Sequence, residues 1–129
     1  MNLIQKKLKY SCLFLLLPLL INCKEKKSIA GFNEQVWKTD KMGCANKRAA
    51  ISDFVLSTKD QWLGIDDDVI VDLLGRPERS YFYERNARSF AYYIQSGKQC
   101  NQQSALFGQR LIVEFNATGY SKRIYVEQD

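Results

Sequence analysis

The first 22 residues most constrain what this 129-residue chain can fold into, because they have the composition of an export signal. Three lysines and no acidic residue stand in residues 1–9, and a mostly apolar stretch follows at 11–21. A signal peptide needs an apolar stretch of about 7–15 residues, whereas a membrane-spanning helix needs about 20. The length therefore predicts a signal peptide at residues 1–22, which leaves residues 23–129 for a single domain.

The end of the apolar stretch resembles a lipobox, the site that lipoprotein signal peptidase cleaves. Residues 20–23 read LINC, and the thiol of Cys23 is required because diacylglycerol is attached to sulfur before cleavage. Asn22 stands where Gly, Ala or Ser is usual. The competing site for ordinary cleavage is residues 28–30 (SIA), which has small residues in the right places but follows a run of charges. We expect cleavage before Cys23, lipidation of that cysteine, and a polar tether at residues 23–35.

The net charge of +5 is concentrated near the N-terminus, since residues 33–129 contain 13 basic and 13 acidic side chains. Basic residues in the signal and the tether suit export and an anionic membrane surface. Nucleic-acid binding thereby loses its main electrostatic support. The chain has no histidine, which excludes histidine-dependent triads and most zinc sites. We therefore expect no catalytic residue, no metal site and no cofactor.

Two cysteines remain for the folded domain if Cys12 leaves with the signal and Cys23 is acylated. These are Cys44 and Cys100, and export would place them in an oxidising compartment, where an even pair indicates a disulfide. Such a bridge closes a loop of about 57 residues and adds about 4 kcal/mol to the free energy of unfolding in the chain-entropy model. Two unpaired, buried thiols are the alternative.

The domain, residues 36–129, is predicted to be α+β, with two helices packed on one face of a small antiparallel sheet of three to four strands. Apolar residues at i, i+3 and i+4 predict a first helix at about 45–56. A second helix is expected over 66–75, because Asp66 can cap it and Gly75 can end it. Residues 36–40 are interpreted as a short extended or turn segment. Alternating apolar residues predict strands within 80–85, 89–95, 109–115 and 121–127.

Residues 64–77, GIDDDVIVDLLGRP, resemble the signature of the SmpA/OmlA (BamE-like) family of small outer-membrane lipoproteins. Asp66 occupies the position of a Ser or Thr in that signature, and Val69 that of a common Gln. Segments 90–93 and 111–119 resemble the family's second strand and last hairpin. The signature positions that match are Gly64, Ile65, Ile70, Leu74, Gly75 and Pro77.

The resemblance implies an α-α-β-β-β fold, a lipid anchor in the outer membrane and an accessory role in the machine that inserts β-barrel proteins. The Cys44/Cys100 pair is not part of the family pattern, and the same fold is used by secreted inhibitors. We therefore expect a lipid-anchored cell-envelope protein, placed in the outer membrane, that acts through protein contacts. An inhibitor or immunity-type binding lipoprotein is the alternative.

A basic stretch next to aromatic residues is the predicted partner-binding surface, because Tyr and Arg are enriched in binding hot spots. A solvated strand edge, whose charges oppose aggregation, is the alternative interpretation. Three consecutive acids at 66–68 are interpreted as helix capping rather than as a cation site. The residues of the predicted surface are Arg79, Tyr81, Tyr83, Arg85 and Arg88.

Overall fold

The computed structural model describes residues 25–129, so the predicted signal peptide and Cys23 lie outside the described residues. Within that range the chain is α+β, as predicted, with three α-helices and one antiparallel sheet of four strands in the order β1-β2-β3-β4. No helix in the described range is long and apolar enough to cross a membrane. The elements are α1 (Glu34–Thr39), α2 (Lys47–Ser57), α3 (Asp67–Leu74), β1 (Arg79–Phe82), β2 (Arg88–Tyr93), β3 (Gln109–Phe115) and β4 (Ser121–Gln128).

Helix α1 corrects the prediction of an extended or turn segment at residues 36–40. The Asn33 side chain caps it by accepting a backbone N–H of the first turn at 3.1 Å. Its central residue, Trp37, is fully buried, and the indole N–H donates to the Leu74 carbonyl at 3.0 Å. The prediction was wrong because tertiary packing of Trp37, together with the Asn33 cap, stabilises a helix that is too short to persist alone.

Helix α3 begins and ends as predicted. The Asp66 side chain accepts the N–H of Asp68 at 3.1 Å, which satisfies one of the free donors of the first turn. Gly75 follows the helix with φ +79°, a conformation that residues with a Cβ rarely adopt. Ile70, Leu73 and Leu74 are buried, so the apolar face of the helix is also the predicted one.

Helix α2 forms where predicted, but its buried face is different. The deeply buried residues are Arg48, Ser52 and Val55, whereas Ile51 and Phe54 lie half-buried at the margin of the core. The apolar spacing therefore predicted the helix correctly. It did not predict that Arg48, a charged residue, would be buried on the inner face of the helix.

The sheet packs one face against the three helices, and the predicted alternation is confirmed. Inward residues of β2, β3 and β4 meet the helical side chains in one core. The opposite face, which no helix covers among the described residues, still buries Ala91, Tyr93 and Ile112. The inward residues of these strands and their ends are Phe90, Tyr92, Ile94, Leu111, Val113, Phe115, Ile124 and Val126.

The part of the predicted tether that is described packs against the domain from Ile29 onward. Ile29 is buried in the core, and the Phe32 ring meets Trp62 edge-on at 4.9 Å between ring centres. The Lys26 ammonium lies 2.9 Å from the Glu34 carboxylate in α1. Residues 25–28, which precede Ile29, are exposed.

The predicted disulfide between Cys44 and Cys100 is present, with the two Cα atoms 5.7 Å apart. It joins the segment before α2 to the loop between β2 and β3. The preceding residue, Gly43, has φ +65°, and a Cβ there would lie 2.8 Å from the Tyr93 carbonyl oxygen. Only glycine allows the backbone to approach this closely. The segment before α2 therefore lies directly against the end of β2, and the disulfide beside it joins this segment to the following loop.

Candidate functional site

The predicted partner residues lie along and beside β1, the shorter of the two edge strands. All four residues of β1 are exposed, including Phe82, whose exposed fraction of 77% is the largest of any large apolar residue described. Tyr83, directly after the strand, is 58% exposed, and Tyr81 is 37% exposed. We refer to Tyr81, Phe82 and Tyr83 as the β1 aromatic edge.

The β1 aromatic edge presents side chains to both faces of the sheet. Tyr81 pairs with Ser89 and lies on the outer face, the one away from the helices, where its hydroxyl accepts from the Arg110 guanidinium at 2.7 Å. Phe82 pairs with Arg88 and lies on the helical face. The hydroxyls of Tyr83 and Ser89 are 3.3 Å apart. Aromatic surface is therefore available on either side of the strand.

The three predicted arginines are in two different environments. Arg88 is half-buried and forms an ion pair with Asp67 in the first turn of α3, so it joins the sheet to a helix. Arg79 and Arg85 are exposed and form no ion pair with any residue of the described chain. Arg79 and Arg85 therefore lie beside the aromatic edge, whereas Arg88 stabilises the fold through its ion pair with Asp67.

The outer face of the sheet carries a network of arginines, carboxylates and tyrosines that the sequence interpretation missed. Two nitrogens of Arg123 donate to Glu114 at 3.0 and 2.7 Å, and the Tyr125 hydroxyl donates to it at 3.0 Å. The bonds from Arg123 hold the pKa of Glu114 below its ordinary value. Burial, together with the bond to Glu114, raises the pKa of Tyr125 to about 12. Cross-strand pairing at alternate positions was the signal that could have predicted this network.

A second network lies inside the domain around Arg48, whose side chain is only 3% exposed. Its Nε donates to the Trp37 carbonyl at 2.9 Å, and its Nη1 donates to Glu78 at 2.8 Å and to the Tyr93 carbonyl at 3.0 Å. The guanidinium carbon also lies 5.0 Å from the centre of the Trp37 ring. Asp40 accepts the N–H of Arg48 at 3.1 Å, so this region joins α1, α2 and β2.

A basic cleft of about 450 Å³ opens beside this buried network, next to the start of β1. Lys41 and Arg76, at its rim, are exposed and form no ion pair within residues 25–129. Glu78, the one acidic residue lining the cleft, is already bonded to Arg48. Positive charge therefore continues from the cleft to Arg79 on β1.

The three acids at 66–68 lie together at the start of α3. Their carboxylate oxygens lie within 4.8 Å of one another. Asp66 caps α3, and Asp67 pairs with Arg88. These contacts support the interpretation as helix capping.

Comparisons with known proteins found no matching family model, no matching curated protein and no matching solved structure. The resemblance to the SmpA/OmlA family therefore stays a prediction. The functional conclusion depends on the geometry of the chain itself, above all on the β1 aromatic edge.

Proposed function

We propose that this chain is a lipid-anchored cell-envelope protein that binds another protein through the β1 aromatic edge and performs no catalysis. The observation that carries the proposal is the exposure of Tyr81, Phe82 and Tyr83 in one continuous segment at the edge of the sheet. Burying apolar surface against a partner contributes about 25 cal/mol per Å² to the free energy of binding. Exposed aromatic residues beside Arg79 and Arg85 have the composition of a binding hot spot.

The packing of Ile29 supports the anchor. Cleavage after Ala30 would remove Ile29 from the hydrophobic core, whereas cleavage before Cys23 retains it. The chain between Cys23 and Ile29 spans at most about 3.5 Å per residue, or about 20 Å in all. A lipid on Cys23 would therefore hold the domain close to the bilayer.

The bonding of the acidic residues supports a role without catalysis. A general acid or base needs a carboxyl group that is free to reach a substrate, with a pKa near the working pH. Asp40 and Glu78 are bonded to backbone N–H groups and to Arg48, and Glu114 is held by Arg123 with a lowered pKa. Each of these carboxylates stabilises the fold.

The anchor is tested by growing cells with labelled palmitate. We expect the wild-type chain and the control variant Cys12→Ser to carry the label, because Cys12 lies within the signal. The variant Cys23→Ser should lose it. Undiminished label on Cys23→Ser would refute lipidation at this residue.

The protein-binding role is tested by crosslinking in intact envelopes, followed by mass spectrometry. A reproducible protein partner that is lost in Phe82→Ser supports the proposal, and barrel-assembly components among the adducts would place the chain in outer-membrane assembly. A single soluble enzyme or toxin as sole partner would instead support the inhibitor alternative. Adducts that are the same in the wild-type chain and Phe82→Ser would contradict binding through this edge.

A further inference from the structure

The backbone of β1 has an unpaired side. The Tyr83 N–H donates to the Ala87 carbonyl at 2.8 Å, which continues the register in which Tyr81 faces Ser89. Bonds between antiparallel strands alternate along the chain, so the N–H and C=O groups of the intervening residues point away from β2. These are Ser80 and Phe82, and no backbone hydrogen bond outside the strand pairing uses their groups within residues 25–129.

The free side of β1 has few of the devices by which proteins usually block an edge. Such devices are very short strands, charges, proline, bulges or a covering segment, and β1 has two of them, its length of four residues and Arg79 at its start. Residues 80–83 contain neither charge nor proline, and the β1–β2 register has no interruption. The other edge strand, β4, is different. Gly64 and Ile65 bond to both backbone groups of Ser121 at its start, at 2.7 and 2.8 Å, and Lys122 and Arg123 follow. Residues 124–127 of β4 are buried or half-buried, whereas all four residues of β1 are exposed, so β1 is the more accessible of the two edges.

The surroundings of the free edge are positively charged. Arg76, Arg79 and Arg85 are exposed and form no ion pair within the described chain, and Lys41 lines the same adjoining cleft as Arg76. Glu84 is the one exposed carboxylate between residues 76 and 88, and the two carboxylates on the outer face beside Tyr81, those of Glu127 and Asp129, are both paired with Arg110. Charge complementarity therefore favours a negatively charged occupant.

We propose that the free edge of β1 binds an extended acidic segment of a partner protein as a fifth strand of the sheet. Backbone bonds to Ser80 and Phe82 would supply affinity, and alternate side chains of the segment would lie against the aromatic edge. Acidic side chains of the segment would face Arg79 and Arg85. A second copy of this chain fits less well, because two positively charged edges would face each other. The inference rests on the proposed function and specifies the partner's chemistry.

The test uses the full chain, labelled with ¹⁵N in detergent, and two acetylated heptapeptides. The probe alternates Glu and Val, and the matched control has Lys in place of Glu. We expect the acidic peptide to bind at least about tenfold more tightly, which corresponds to about 1.4 kcal/mol. It should also slow hydrogen exchange at the amides of Ser80 and Phe82 at least about tenfold. The amide of Ile124 in β4 should not change.

Two variants separate backbone pairing from charge. Phe82→Pro removes an N–H that does not bond to β2, a position where an edge strand tolerates proline, and should abolish binding. Arg79→Glu retains the backbone groups and should reverse the preference between the two peptides, which keeps the proposal testable if Phe82→Pro does not fold. Equal affinity for both peptides, protection at Ile124 instead of Ser80, or protection at Ser80 caused by dimerisation would each overturn the inference. Crosslinks from the aromatic edge without peptide binding would reject the fifth strand and leave the proposed function intact.

Discussion

Arg48 and the β1 aromatic edge combine the same residue types, arginine and large aromatic side chains, in opposite environments. The Arg48 guanidinium is buried against Trp37 and bonded to Glu78 and two backbone carbonyls. At the edge, Phe82 is mostly exposed, and Arg79 beside it has no ion-pair partner in residues 25–129.

The difference assigns a role to each region. A buried arginine joins elements of the fold, and removing it leaves its half-buried carboxylate partner without a cation. Exposed arginines and aromatic residues contribute little to folding, so their composition is explained better by a contact outside the chain. Substitutions in the two regions should therefore affect different measurements.

The largest expected effect is on stability, from Arg48→Met. The variant leaves the half-buried Glu78 without its cation and the Trp37 and Tyr93 carbonyls without their donor, so we expect the free energy of unfolding to fall by about 3–5 kcal/mol. Urea denaturation measures this loss. The matched control Arg79→Met, at an exposed position, should change stability by less than about 0.5 kcal/mol. Equal effects of the two substitutions would remove the distinction between the regions.

Removing the disulfide should have the next largest effect. The double variant Cys44→Ser/Cys100→Ser should lose about 2–4 kcal/mol, because its unfolded chain is less restricted. The bridge lies beside the Arg48 network, since the Met42 N–H donates to Glu78 at 3.2 Å. Because this network is the region that contrasts with the β1 aromatic edge, we expect the folded double variant to bind its partner as tightly as the wild-type chain does. Weaker binding by a fully folded double variant would show that the two regions are coupled.

Phe82→Ser should change binding without changing stability. Phe82 makes little contact within the domain, so the free energy of unfolding should stay within about 0.5 kcal/mol of wild type. Affinity for the partner should fall about tenfold or more, as for an aromatic hot spot. Calorimetry for binding and urea denaturation for folding check the two parts separately. A large loss of stability would mean that Phe82 belongs to the core.

The smallest effect is a pH dependence at Glu114. Its pKa is lowered in the folded state, chiefly by the Arg123 hydrogen bonds, so its contribution to stability is present above the unfolded value of 4.5 and is lost as the pH falls through the folded value. Glu114→Gln should cost about 0.2–1 kcal/mol at pH 7, because Arg123 is largely exposed. Denaturation at pH 3 should show a smaller difference. Glu84→Gln, at an exposed acid without an ion pair in the described range, is the control and should change neither value.

The elements that were predicted correctly are those with local signals. Asp66 and Gly75 lie directly next to the two ends of α3 in the chain, so the sequence around each end predicts it. The alternation of apolar residues predicts which side chains of β2, β3 and β4 enter the core. Arg48 could not be assigned in this way, because its partners Glu78 and Tyr93 lie 30 and 45 residues away in the chain. Phe82 lies within the predicted basic and aromatic stretch but is not among the predicted partner residues, because the sequence does not show that its side chain is more exposed than the other large apolar residues described.

The central claim is that the β1 aromatic edge contacts another protein in the envelope. A photoreactive amino acid placed at Phe82 tests it most directly, with the same residue at Leu106, which is 67% exposed in the loop between β2 and β3, as the matched position. We predict a discrete adduct from position 82 that excess acidic heptapeptide suppresses, and none of that size from position 106. The same adducts from both positions, or none from position 82, would contradict the claim.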